Sequence, residues 1–410
     1  MMPIKTILPA PVAVPFECCS ACLSRSLSIV FEMLNFPQIG IYLDKFDDSE
    51  MFPAVDQGLT ICEDCGHIQL LGTVDPHFLY NDTFKHRTSE SPTSVESNIF
   101  FSQYILKFAN GRQFKRAVEI GCNDSFLLQR LMGSVGVACG IDPLWKGRED
   151  LFTVGLDSDM ASRMKVVGNF VENVDFQSEL GGKPDLIISS FVFEHLREPL
   201  RVIESMFDAC ADDALFVVMV PGTDMLLDDC RFDQLSHQHY QQFTFDSLRR
   251  MIETAGGVYV DHTIYYPVWG AIIMAFRRGP GKGEKTDFRR ASRSLVIERK
   301  ARFDLQLDLC RKSVRDVGDR PIYGLGAAQN FPSLAYFMGD VSFLRCILDD
   351  NPSRQNKYYP GIHVPTAAPA ASMDFENSAA VLTGPDYGRT LIARGKELKF
   401  RQIILPFNII

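Results

Sequence analysis

The chain has 410 residues, 46% of them hydrophobic and 23% charged, with a formal net charge of −9, which is enough apolar material for two or three separate cores. With 42 Lys and Arg against 51 Asp and Glu, it lacks the positive excess needed to hold a phosphate backbone or an anionic lipid surface, so neither nucleic acid nor membrane is expected as a partner. No apolar run approaches the roughly 18 to 20 residues of a membrane span, and the first residues lack a basic leader with a long apolar core, which points to the cytoplasm. In a reducing compartment the 11 cysteines are expected to be metal ligands or small core residues, not disulfides.

Up to about residue 80 the chain is punctuated by cysteines and short β-type runs. Cys19 and Cys22 form one CxxC pair and Cys62 and Cys65 a second. Each such turn aims two thiolates at one point about 2.3 Å from a metal, and four thiolates leave Zn²⁺ no open position, so a structural zinc is expected. Cys18 and His67 stand near enough to be substitute ligands. The other cysteines lie singly in strand or helix patterns, as small buried hydrophobes do.

From Asn81 to about residue 280, KRAVEIGCN, GVACGIDP, KPDLIISSFVF, DALFVVMVP and GAIIMAF read as buried strands separated by helical patterns. That alternation predicts an α/β domain with a doubly wound, Rossmann-like sheet. AVEIGCNDSFLLQRL is strand, turn and helix, with Glu119 at the strand end and Gly121 in the turn. The next strand ends at Asp142 and Pro143, where a carboxylate can accept hydrogen bonds from ribose hydroxyls. The turn lacks the three-glycine pattern of a dinucleotide site, and Asp124 would repel a pyrophosphate. Acids suit the cationic S-adenosylmethionine instead.

A Gly- and Lys-rich linker, RRGPGKGEKTD, then leads into a charged connecting helix from about Phe288 to Val317, whose acids interleave with its bases. Strand, glycine turn and helix resume in RPIYGLGAAQN, FLRCILDDNP, AAVLTGPDYG and RQIILPFNII, predicting a second, smaller α/β domain over residues 281–410.

The CxxC pair with ICEDCGHIQL, VEIGCND with GIDP, HQHYQQFT, and YGLGAAQN with LDDNPSRQNKYYPG together resemble the three-domain sugar C-methyltransferases of deoxysugar biosynthesis. The resemblance runs over nearly the full length. It implies a zinc-binding module (1–80), a class I S-adenosylmethionine domain (81–280) and a Rossmann-like C-terminal domain that contacts a sugar nucleotide, in a monomer or homodimer. It further implies that Glu119, Gly121, Asn123 and Asp124 line the methionine part of the cofactor, Asp142 the ribose, and Asn169 and Phe170 the adenine. Phe191 lies where the strand after Asp185 opens toward the cofactor.

His237 and His239 precede a helix on a loop after the VVMVPG strand, at the side of the sheet where α/β proteins bind ligands, and either imidazole can take up a proton. The family motif reads Tyr-His-Glu-His where this chain has Ser236, His237, Gln238 and His239, so the acid is missing. Phe84 and His86 replace a tyrosine-rich segment, and Val268 to Ala271 replaces His-Gly-Gly-Ser. These departures keep O-methyl transfer and a turnover-deficient cofactor scaffold open beside C-methylation. On the substrate side, the resemblance assigns Phe84, His86 and Gln238, and in the C-terminal domain Gly326, Gln329, Asn330, Asp350, Arg354, Lys357 and Tyr358. The last of these supply charge and stacking.

Overall fold

The computed structural model describes residues 12–79, 87–279 and 290–408. Three larger sheets organise them, beside a two-residue antiparallel pairing of Val14–Pro15 with Gly72–Thr73. In the N-terminal stretch, β1 (Leu27–Phe36), β2 (Val55–Cys62) and β3 (Ile68–Leu70) form an antiparallel meander. β1 is exposed along much of its length, as an antiparallel strand with one wet face should be.

The central sheet comprises β4 (Phe114–Ile120), β5 (Val135–Ile141), β6 (Met164–Val167), β7 (Leu186–Ser190) and β8 (Leu215–Val220). The chain then makes a two-residue strand β9 (Gln241–Gln242) before returning as β10 (Gly257–Tyr265) and β11 (Ala271–Arg278). The order across the central sheet is β10-β11-β8-β7-β4-β5-β6, with β11 antiparallel to both of its neighbours. β8 is buried at every residue because both faces of a wound sheet are covered. Ile120, Ile187 and Phe216 point into one core, and Ala117, Leu186 and Val217 into the other.

The order reverses between β4 and β7, which are adjacent although three strand positions apart in the chain, and the crevice at such a reversal is where α/β sheets bind ligands. All five strands expected in this domain are present. β6, β9 and β10 go beyond the strands expected from the sequence, because they are short or only partly buried and so lack a long apolar run.

β9 belongs to neither face of the central sheet. It pairs antiparallel with β3, Gln241 opposite Gln69 and Gln242 opposite Ile68, and so completes the N-terminal sheet as its fourth strand.

A long helix, Arg293–Arg315, leads to the C-terminal sheet, in which Thr366–Ala367, Leu344–Leu348, Ile322–Leu325, Ala379–Leu382 and Gln402–Ile404 are adjacent in that order and all parallel. The N-terminal and C-terminal sheets share a core: Met33 and Phe36 from β1, Phe232 and Tyr240 from the loop before β9, Phe303 from the long helix, and Phe331 and Tyr359. Among the described residues no helix is long and apolar enough to cross a membrane.

Candidate active site

The turn after β4 collects acids. Glu119 is buried, its Oε2 has no hydrogen-bond partner, and burial together with Asp142 and Asp124 holds its carboxyl well above the usual range. Gly121 has φ +72°, and a Cβ there would lie 2.1 Å from the Val192 side chain, so glycine is required by the close packing of the turn after β7 as well as by its backbone angle. Asn123 and Ser125 also adopt positive φ, at 44° and 64°. Asp142 stiffens this strained turn: its two oxygens accept the amides of Asn123 and Leu144, each at 2.9 Å. Trp145 closes the side by donating Nε1–H to the Asn123 carbonyl at 2.6 Å. Across the turn, the amides of Thr88 and Ser89 donate to the side chains of Asn123 and Asp124. Asp124 Oδ1 is buried without a partner, and so is Ser190 Oγ at the end of β7.

Unsatisfied carboxylate and hydroxyl oxygens around a strained turn at the sheet reversal are what a cationic, hydroxyl-bearing ligand would satisfy, and S-adenosylmethionine fits that donor set. Pro143 opens a short 3₁₀ turn capped by Asp142. Asn169 Oδ1 accepts its neighbour's amide, and Phe170, just past the end of β6, is partly exposed.

The turn after β7 carries a second group. Phe191 adopts φ +54° and is fixed by its amide bond to Met219, and its ring meets Trp269 edge-on at 5.8 Å between centroids. Glu194 and His195 follow. The titratable atoms of Glu194, His195 and His239 lie within 4.8 Å of one another. His195 and His239 face each other edge-on with ring centroids 4.9 Å apart, and His239 lies 6.2 Å from Trp269.

His195 Nδ1 is 2.7 Å from the Gln238 carbonyl, an acceptor, so the proton is on Nδ1 and Nε2 carries the lone pair. Burial depresses both imidazoles, His195 to about 4 and His239 to about 3, the latter also by the neighbouring His195. Both are therefore neutral at pH 7. Glu194 is buried with neither oxygen hydrogen-bonded, its Oε1 3.9 Å from His195 Nε2, and burial pushes its carboxyl up to about 8. It is therefore largely protonated at neutral pH. Neither Glu194 nor His195 is among the residues expected at the site from the sequence. Their signal was position, since a residue just past an apolar strand end in a wound sheet faces the ligand crevice.

His237 sits elsewhere. It is buried, its Nε2 donates to the Phe36 carbonyl at 2.9 Å, and its ring packs edge-on against Phe36 at 5.2 Å. Of the two histidines expected to react, only His239 joins His195; the other seals the junction between β1 and the loop before β9. Gln238 contributes its main-chain carbonyl to His195.

The C-terminal residues expected on the substrate side are largely engaged within the protein. Gly326, at φ +95°, lets Leu391 pack where a Cβ would sit at 2.5 Å. Asp350 holds Arg394 through two contacts of 2.8 and 3.1 Å. Arg354 donates to the Ala327 carbonyl, and Lys357 is ion-paired with Asp44. Tyr358 exchanges backbone hydrogen bonds with Leu43, at 2.8 and 2.9 Å. An arm between β1 and β2 thus covers that surface. Gln329 is exposed and the buried Asn330 Nδ2 is unpaired. Phe84 and His86 lie outside the described residues.

The four cysteines of the CxxC pairs converge. Cys19 Sγ is 3.5 Å from Cys65 Sγ and Cys22 Sγ is 3.7 Å from Cys62 Sγ, close to the roughly 3.8 Å edge of a thiolate tetrahedron with 2.3 Å metal bonds. The amides of Ala21 and His67 point at two of these sulfurs, each at 3.4 Å. His67 turns its ring away toward Gln241, and Cys18 does not join the cluster.

Residues 98–262 match the family model described as a methyltransferase domain. The curated protein "C-methyltransferase NovU" of Streptomyces niveus is 21% identical over 401 residues, covering 93% of each chain. Solved structures that resemble part of the chain include magnesium protoporphyrin IX methyltransferase of Synechocystis with bound S-adenosylmethionine, 12% identical over 45% of this chain and 79% of that one, with a TM-score of 0.34. The YcgJ protein of Bacillus subtilis is 11% identical over 45% of this chain and all of its own, with a TM-score of 0.37.

Proposed function

We propose that this protein, an S-adenosylmethionine-dependent methyltransferase, methylates a carbon next to the carbonyl of a nucleotide-linked sugar. The observation that carries the reading is the neutral imidazole pair His195 and His239 at the carboxyl edge of the sheet reversal, beside a protonated acid. The cofactor would supply the electrophilic methyl group, held by Glu119, Gly121, Asn123, Asp124 and Asp142, with Asn169 and Phe170 toward its base. His239, with its ring free of backbone commitments in this cluster, takes the proton from the carbon. His195, pinned through Nδ1, presents Nε2 to the same space.

The missing acid at Gln238 does not remove acid chemistry from this edge. Glu194 arrives from β7, carries its proton below about pH 8, and can donate to the oxygen of a developing enolate. A buried neutral carboxyl is a stronger partner for that oxygen than an ionised one, which would repel it. The C-terminal domain would close over the acceptor and contact its nucleotide, with Asn330 as the unpaired donor available for that contact.

O-methyl transfer is the second reading, favoured by the departures at Ser236 and Gln238, since a hydroxyl acceptor needs a base and no enolate donor. Solvent deuterium exchange separates the two. Incubated in deuterated buffer with S-adenosylhomocysteine and a nucleotide-linked keto-sugar, the protein should wash deuterium into the carbon beside the carbonyl. Methylation without any exchange would leave the oxygen as the target.

The four-cysteine cluster would hold a structural Zn²⁺ in a closed tetrahedron, consistent with cysteines that are all free of disulfides and with work in the reducing cytoplasm.

A further inference from the structure

We infer that Gln241 is a positioning residue through which the N-terminal module sets the orientation of the His195 imidazole. The inference rests on the reading of His195 and His239 as the reacting pair. His67 lies two residues beyond Cys65 and is fully buried. Its Nε2 is 3.0 Å from Gln241 Oε1 across a sequence separation of 174 residues.

The other end of the same amide fixes the assignment. Gln241 Nε2 donates to the Leu196 carbonyl at 2.9 Å and reaches the Arg197 carbonyl at 3.5 Å, so Oε1 must face His67 and accept its Nε2–H. Leu196 is the residue after His195. Gln238, whose carbonyl receives His195 Nδ1–H, is three residues before Gln241. The turn carrying His195 is therefore held at two adjacent points by one segment, and that segment is anchored on the N-terminal module.

Several contacts place the segment without help from the Gln241 side chain. β9 pairs with β3 through the main chain, Leu70 N–H donates to the Tyr240 carbonyl at 2.8 Å, and Tyr240 Oη donates to the Val74 carbonyl at 2.7 Å. Arg197 reaches back to the Thr73 hydroxyl. The backbone frame is thus redundant, whereas the side-chain amide of Gln241 links that frame to the carbonyl of Leu196, the residue after His195. Removing it leaves a buried N–H on His67 and the half-buried carbonyl of Leu196 without this partner, and releases one of the two points that hold the turn carrying His195.

The test uses the full chain with its metal and ¹⁵N-labelled histidine. His195 Nδ1–H should give a downfield, slowly exchanging proton, assigned by its disappearance in His195→Gln. In Gln241→Leu that proton should exchange at least roughly 10-fold faster or vanish, with metal content by elemental analysis and S-adenosylhomocysteine affinity by calorimetry unchanged. Gln241→Glu, nearly isosteric, should do the same while keeping the His67 resonance, because a carboxylate retains the acceptor and lacks the donor. His67→Gln, which keeps an N–H donor toward Gln241, should leave the His195 signal as in the unaltered protein, and His67→Leu should not. An unaltered His195 proton in Gln241→Leu, or its loss only in step with loss of metal, overturns the inference. Failure of wild-type protein to bind S-adenosylhomocysteine would instead sink the methyl-transfer reading and leave the His195 signal untouched.

Discussion

His195 donates its Nδ1 proton to the main-chain carbonyl of Gln238 at 2.7 Å, a bond between the end of one central strand and the loop that leaves the next. Because the acceptor is a carbonyl, any residue at position 238 can provide it. The Gln that stands in place of the acid expected at position 238 therefore leaves the tautomer of His195 intact. The bond also fixes which nitrogen faces the cleft, and that choice orders the roles tested below.

Exchanging the two histidines of the loop should give opposite phenotypes. His239→Gln should lower turnover roughly 10²- to 10⁴-fold while S-adenosylmethionine affinity holds. His237→Gln disturbs a buried bond to Phe36 and should cost about 1 to 3 kcal/mol of stability, read as a lower urea midpoint, with turnover near that of the unaltered protein. Equal turnover losses in both would return His237 to the reacting pair.

Asp142→Ala should weaken cofactor binding by about 1 to 3 kcal/mol, roughly 5- to 150-fold in Kd. Two routes add: lost hydrogen bonds to the ligand's sugar, and release of the Asn123 and Leu144 amides that keep the strained turn in place. Calorimetry with S-adenosylhomocysteine measures it, and an unchanged Kd would remove Asp142 from the site.

The pH dependence of stability has two arms. Glu194 holds its proton in the folded state up to about 8 against an ordinary 4.5, so the folded protein binds more protons than the unfolded chain between those values, and stability falls as pH rises through that window. His195 and His239 are depressed to about 4 and 3 from 6.5, so their contribution is lost as pH drops below the ordinary imidazole value. Glu194→Gln should flatten the alkaline arm, narrowing the difference in urea-unfolding free energy between pH 6 and pH 9 by at least about 1 kcal/mol. Parallel curves for the two proteins would show that Glu194 is ionised at neutral pH.

Cys62→Ser should abolish binding of the proposed zinc, since three thiolates and a hydroxyl leave the tetrahedron open. Elemental analysis should fall from one zinc per chain toward none. The N-terminal sheet includes β9, so circular dichroism and trypsin cleavage should report loosening around Gln241 as well as around Cys62.

How much of this was legible depends on the range of the interaction. The turn after β4, the acids at Glu119 and Asp142, and the doubled CxxC are local patterns, in which the residue types and their spacing already state the chemistry. Strand alternation likewise marked the wound sheet, because burial on both faces demands continuous apolar runs. β9 escaped notice: Gln241 and Gln242 look like loop, and only a partner strand from the N-terminal module makes them a strand.

The amino-acid order alone thus determined the wound α/β core, the convergence of four thiols in two turns and the acidic character of the cofactor loop, since each depends on neighbours within a few residues or on a repeating period. Folding in three dimensions decided which histidine of the loop meets His195 and which packs against Phe36. His195 and Gln238 are 43 residues apart and His67 and Gln241 are 174 apart, and nothing in local spacing brings such groups within hydrogen-bond range until the sheet order has been set. Burial then moved the titrating groups, because the cost of a charge depends on everything packed around it and not on the residue that carries it.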